Sequence, residues 1–222
     1  NTFNMLRNLF ANMGPVTKNL LIINVAMLII SGIAEMQGID LGEMLGMHYF
    51  KSSSFRPFQI VTHMFMHANI MHLVGNMYFL YIIGDNLEDA LGHKKYLMYY
   101  LICGIGASLF SLVMSQDPNI PSVGASGAIA GLFGMYLMWF RHASLTFMFV
   151  IYQKKLSAVW FFAIWIAINI FGLIVLQDGV DYGAHIGGFV VGLVIGYFLK
   201  EKVLAENPLI KLLNQPEAVL KR

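Results

Sequence analysis

The sequence predicts an all-α integral membrane protein with six spans. Three observations carry this. The 222 residues are 58% hydrophobic and only 12% charged, where a soluble domain holds about 25% charged residues. Mean hydropathy is +0.66. Six apolar segments recur along the chain, at roughly 19–34, 69–84, 94–115, 126–140, 156–176 and 183–199. A bilayer core takes about 20 residues as helix.

The first eighteen residues form an N-terminal segment with no continuous apolar run before Lys18, so no cleavable leader is expected in them. The first span opens with NLLIINVAMLIISGIA. Residues 35–68 follow as a long amphipathic loop, in which DLGEMLGMHYF and RPFQIVTHMFMH have the half-apolar character of a segment lying in the membrane interface. The fourth span is short, as a buried central helix can be. The membrane domain is expected over residues 19–199, and residues 200–222 form a polar tail with a short helix.

Orientation follows from Lys and Arg. With the N-terminus inside, the inner segments hold Arg7, Lys18, Lys94, Lys95, Arg141, Lys154, Lys155, Lys200, Lys202, Lys211, Lys221 and Arg222, against Lys51 and Arg56 outside. This imbalance places both termini in the cytoplasm. A net charge of +2 gives no case for a nucleic-acid partner, and the single Cys103 excludes an intramolecular disulfide framework.

In that topology several polar side chains gather near the outer face. Ser126 opens the fourth span, in SVGASGAIAGLFG. His185 lies four residues after Asp181 on the sixth span, about 6 Å further down. His72 and Asn76, four apart, share a face of the second span. An ionisable residue within a span is costly and marks a functional candidate. The plainer alternatives are a histidine bonded between helices and a serine at a small-residue interface. Gly127 and Gly131, and Ala184, Gly188, Gly192 and Gly196, form small stripes at spacing four. Such stripes let backbones approach closely, bringing Ser126 and His185 together at one end. A serine beside an imidazole is an activated nucleophile. His72, Asn76 and the Ser126 N–H suit an oxyanion hole. His63 and His67 have a zinc-like spacing but lack the glutamate of H-E-x-x-H, so no metal and no cofactor is expected. Asp181 is expected to cap the sixth span, and a Ser-His dyad without a carboxylate is the favoured arrangement.

These motifs resemble those of the rhomboid intramembrane serine proteases over nearly the whole chain. GASG is similar to the family's G-x-S-G, AHIGGFVVG to its A-H-x-x-G-x-x-x-G, and HANIMHLVGNM to its H-x-x-x-x-H-x-x-x-N. The resemblance implies a six-helix bundle with a water-accessible cavity, Ser126 as nucleophile and His185 as base. His72, Asn76 and the Ser126 N–H would hold the oxyanion, and Gly124 would shape the turn. It also implies structural roles for His67, for Arg56 in FRPF and for Glu88 in EDALG. Phe55 departs from a common family tryptophan. Ala130 stands where some members carry a tyrosine stacked on the histidine, which leaves the orientation of His185 to other contacts.

The fifth span, LSAVWFFAIWIAINIFGLIVL, is bulky in its outer half. It is either a plain lipid-facing surface or, as the resemblance suggests, the border of a lateral opening, with Trp165 and Phe162 as gate residues and Trp165 facing Gly75. The expected partners are the lipid bilayer and transmembrane protein substrates whose helices unwind readily near the outer face. A helix in lipid keeps its peptide groups satisfied and unavailable. A bacterial cytoplasmic membrane is the expected location. The other function classes are a catalytically silent rhomboid-like binding protein, which would lack the serine or the histidine, and a small transporter, for which inverted repeats are missing.

Overall fold

A computed structural model describes residues 12–114, 120–149, 152–176 and 178–214. The outermost parts of both tails, including Arg7, Lys221 and Arg222, lie outside the described residues. Among the described residues the chain runs through α1 (Pro15–Glu35), α2 (Leu41–Leu45), α3 (Gln59–Thr62), a 3₁₀ turn (His63–Phe65), α4 (Ile70–Leu91), α5 (His93–Met114), α6 (Ser126–Phe140), β1 (Ser144–Phe149), β2 (Tyr152–Ser157), α7 (Ala158–Val175), α8 (Tyr182–Glu206) and α9 (Pro208–Leu213).

Four of these helices, α1, α5, α7 and α8, are long and apolar enough to cross a membrane. The other two apolar segments are also helical. α4 has 22 residues, and Asp85, Glu88 and Asp89 at its end lower its hydropathy. α6 has 15 residues, of which 12 are buried. It spans only about 22 Å at 1.5 Å per residue. A helix wrapped by others need not match the bilayer thickness.

The strand pair departs from the all-helical expectation. SLTFMF and YQKKLS pair antiparallel, with Ser144 opposite Ser157 and Phe149 opposite Tyr152. Thr, Phe and Tyr favour a pleated strand over another helical turn, so the α6–α7 connection closes as a hairpin.

The centre of the molecule is the contact of α6 with α8, flanked by α5. A Cβ built on Gly188 would collide with the Gly127 carbonyl oxygen, and one on Gly192 with the Gly131 carbonyl. Close approach therefore requires Gly188 and Gly192 on α8. On the α6 side it requires Gly134, whose added Cβ would collide with the Phe189 carbonyl oxygen, while Gly127 and Gly131 make room for Ala107 and Cys103 of α5. Gly196 continues the stripe: Trp139 Nε1 donates to its carbonyl at 2.8 Å.

The loop from α1 to α4 is ordered by its own polar side chains. Asp40 caps α2 by accepting from Glu43 N. Buried Gln59 accepts from Arg56 N at 2.9 Å and donates to Met44 O at 3.1 Å. Arg56 Nη1 donates to the carbonyls of Ser53 and Phe55, both at 2.8 Å. Met47 and Ser122 exchange backbone hydrogen bonds at 2.9 Å, tying this loop to the turn before α6. At the other end of α4, Glu88 is fully buried. It accepts from Val16 N, Thr17 N and Thr17 Oγ1 at 2.8–2.9 Å and pairs with His93 Nδ1 at 2.6 Å. It thereby caps the N-terminus of α1, whose first N–H groups lack intrahelical partners.

Candidate active site

Ser126 is the first residue of α6. Its hydroxyl does not cap the helix. It donates instead to His185 Nε2 on α8, at 2.8 Å. The glycine contacts place these two side chains where the first turns of α6 and α8 meet, at one end of the tight seam. A Cβ on Gly127 would meet Ala107 Cβ at 2.7 Å and Ala184 Cβ at 3.7 Å, so Gly127 sits in the same packed layer.

Asp181 is the N-cap of α8, accepting from Ala184 N at 2.9 Å. It also accepts from Ser122 Oγ at 2.7 Å and from Ser111 Oγ. One carboxylate thus fixes the start of α8, the end of α5 and the turn that leads into Ser126. Among the described residues the carboxylate makes no hydrogen bond to the His185 ring, whose Nδ1 faces Asn169 Oδ1 of α7 at 2.7 Å.

Gly124 adopts φ +129°, a region that favours glycine. Its N–H donates to His63 O at 2.9 Å. A Cβ there would lie 2.8 Å from His72 Cε1 and Nε2 and 3.5 Å from Asn76 Nδ2. The side chains of His72 and Asn76 therefore reach over the turn that carries Ser126. Asn76 is 7% exposed, and its Nδ2 has no partner among the described residues. A buried amide N–H without a partner costs about 1–3 kcal/mol. A ligand oxygen at the turn would satisfy it. The Ser126 N–H, in the first turn of α6, adds another donor at a helix N-terminus.

His67 is buried, with its ring 5.1 Å from that of His72. His63 Nε2 bonds to Ser108 Oγ at 2.7 Å, which turns it away from any joint site with His67. Among the described residues no group of three or more His, Cys, Asp and Glu could hold a metal ion.

The sequence-predicted residues thus fall into separate places. Ser126, His185, His72, Asn76, Gly124 and Gly127 converge at one turn, with His67 beside His72. Gly188 and Gly192 lie along the seam below. Arg56 is in the α1–α4 loop, and Glu88 is sixteen residues along α4 from His72, about 24 Å away. Trp165 does not pack against Gly75: a Cβ on Gly75 would meet nothing within 4 Å. The Trp165 ring lies 5.1 Å from Phe133, 5.9 Å from His185 and 5.9 Å from Phe189. The Phe162–Trp165–Asn169 face of α7 turns towards α6 and α8, because that is where the apolar core lies. Phe162 is fully buried, 5.0 Å from Phe133. A ring contact between α7 and α4 runs through Phe161 and Phe79, at 5.7 Å. Trp165 and Tyr182, whose ring is 6.2 Å from that of His185, flank the imidazole where Ala130 offers no aromatic side chain.

Asn169 is the site residue that the sequence reasoning missed. A signal was present: it is the one amide in α7, AVWFFAIWIAINIFGLIV.

A Rhomboid domain family model matches residues 54–202. The chain belongs to the rhomboid family. As a rhomboid it is an integral membrane protein with apolar helices, in a family whose members are generally intramembrane serine proteases. It is 40% identical over 141 residues to the RHOMBOID-like protein 6, mitochondrial, of Arabidopsis thaliana, a match covering 64% of this chain and 43% of that protein. It is 34% identical over 182 residues to the Rhomboid-like protein 11, chloroplastic, of the same plant, covering 73% and 63%. Rhomboid-like protease 3 of Toxoplasma gondii is 32% identical over 150 residues, covering 67% and 54%. The matched region is less than two thirds of each relative's length.

Proposed function

We propose that this rhomboid is an intramembrane serine endopeptidase that cleaves transmembrane helices of membrane proteins near the outer face of the bilayer. The observation that carries this is the 2.8 Å contact between Ser126 Oγ and His185 Nε2. It sits beside a buried amide donor that has no partner.

In the proposed reaction Ser126 Oγ attacks the scissile carbonyl carbon while its proton passes to His185 Nε2. The carbonyl oxygen becomes an oxyanion and accepts hydrogen bonds from the Ser126 N–H, Asn76 Nδ2 and His72. The imidazolium then gives its proton to the leaving amine, and the C–N bond breaks. Water hydrolyses the acyl-enzyme by the same route in reverse, with His185 as base. Preorganised donors of this kind act where charge develops, which makes them worth more than in water.

The proposal extends to a six-helix bundle over residues 19–199, flanked by cytoplasmic segments 1–18 and 200–222. It places the protein in a bacterial cytoplasmic membrane. The excess of Lys and Arg in the inner segments supports that orientation. Its substrates are helices with small or helix-weakening residues near their outer ends, because only an unwound segment exposes its peptide bonds.

A fluorophosphonate probe tests the central claim. It should label detergent-solubilised wild-type protein and fail to label Ser126→Ala. His185→Ala should abolish both labelling and cleavage of a transmembrane peptide while the protein stays folded. Wild-type protein inert to the probe and to such peptides would overturn the proposal, in favour of a binding role. A reporter fused to the C-terminus and scored for cytoplasmic location tests the orientation.

A further inference from the structure

We propose that Asn169 is a positioning residue that fixes the tautomer and orientation of His185 for its partnership with Ser126. The inference rests on the serine-protease reading above and deepens it.

The hydrogen-bond chain decides the proton positions. Asn169 Nδ2 donates to the Trp165 carbonyl one turn earlier on α7, at 2.8 Å. That bond occupies the donor end of the amide and turns Oδ1 towards α8. Oδ1 lies 2.7 Å from His185 Nδ1. An amide oxygen only accepts, so Nδ1 must carry the proton. In a neutral imidazole Nε2 is then the acceptor, which is the form needed 2.8 Å from the Ser126 hydroxyl. The ring is held at both nitrogens, by α6 on one side and α7 on the other.

Burial argues in the same direction. Asn169 is 4% exposed, in a helix otherwise built of apolar residues and tryptophan. Burying an amide without partners is costly. Here both its ends are used, one on its own helix and one on the imidazole. Gly172, one turn on, leaves room for the Tyr182 ring that flanks His185, since a Cβ there would collide with that ring. The α7 surface is thus shaped around the histidine over two turns. The remaining titratable groups near His185 are Asp181 and Tyr182 on α8 and His72 on α4.

When His185 takes the serine proton, the Nδ1–H points at the Asn169 oxygen and the dipole of that C=O stabilises the imidazolium. Without it, the ring loses its preferred tautomer and Nδ1–H is left unpaired. The loss should stay below the roughly 10⁴-fold penalty of a wrong tautomer in a Ser-His-Asp triad. About 100-fold is the expected scale for losing one hydrogen bond from a neutral partner to a charged group.

The test compares wild type, Asn169→Leu and Asn169→Asp. It follows kcat/KM against pH for one transmembrane peptide, with each rate normalised to folded protein by thermal unfolding. Asn169→Leu keeps size and raises helix propensity, and should fall about 100-fold in kcat/KM for the loss of one hydrogen bond to a charged group, with KM little changed. Asn169→Asp keeps an accepting oxygen and adds a negative charge, which favours the imidazolium. It should retain most of the neutral-pH rate, with the acid limb of its profile moved to higher pH. A merely structural asparagine would alter the folded fraction and leave the acid limb in place.

The inference falls if folded Asn169→Leu turns over at the wild-type rate, or if the acid limb of Asn169→Asp coincides with that of wild type. The second criterion decides alone if the leucine variant does not fold. Inactive wild-type protein would instead remove the protease reading itself.

Discussion

Replacing Gly192 with alanine should separate the two helices that carry Ser126 and His185. A Cβ at this position would lie 2.6 Å from the Gly131 carbonyl carbon and 2.7 Å from Gly131 Cα. Ordinary carbon–carbon contact is about 3.5–4.0 Å, so the backbones must part by about 1 Å. No rotamer change relieves the clash, because both partners are backbone. Overpacking of this kind costs about 1–3 kcal/mol. A shift of that size at a reacting pair lowers rate by about 100-fold. The assay is thermal unfolding in detergent together with the rate of fluorophosphonate labelling. Gly32→Ala is the control: its Cβ would meet nothing within 4 Å, and it should gain about 0.5–1 kcal/mol from helix propensity. Gly192→Ala protein with wild-type stability and labelling rate would refute the account of the seam.

Other substitutions probe other parts. His72→Ala and Asn76→Ala should each lower kcat by about 10- to 1000-fold if each removes one oxyanion donor, with unfolding temperatures near that of wild type. Trp165→Ala is expected to raise cleavage of a membrane-embedded substrate if α7 borders its entry path; unchanged or lower turnover in folded protein counts against the gate. Phe162→Ala should in addition cost about 3–5 kcal/mol, because a fully buried ring leaves a cavity, which unfolding measurements will separate from any gain in rate. Glu88→Ala strips the cap from α1 and should destabilise by about 1.5–3 kcal/mol, without changing the labelling rate of the protein that remains folded.

Much of this arrangement is legible in the sequence because glycine spacing is a local signal with a long-range meaning. Gly127, Gly131, Gly188 and Gly192 state which helix faces can meet, and that meeting sets Ser126 against His185. Asp181 is legible as a cap from its place just before an apolar run. Its bonds to Ser111 and Ser122 are not, since those residues come from an earlier helix and loop. Asn169 escaped for a related reason. The bulk of Trp160, Phe161, Phe162 and Trp165 makes α7 read as a lipid-facing or gating surface, and no local period reports that one amide turns inward to an imidazole sixteen residues later. The facing of Trp165 and Gly75 failed because aromatic packing on Phe133 and Phe189 offers more buried area than an isolated glycine. The hairpin was obscured by its apolar composition, which in a short stretch fits a helix end as well as a strand.

Where Gly188 and Gly192 meet the Gly127 and Gly131 carbonyls, backbone touches backbone with no soft side chain between to slide. Ser126 and His185 are therefore mounted on a single stiff chassis. Any breathing that admits a substrate must be borne by the surrounding elements, and the alcohol–imidazole distance will stay the same whether the site is empty or full.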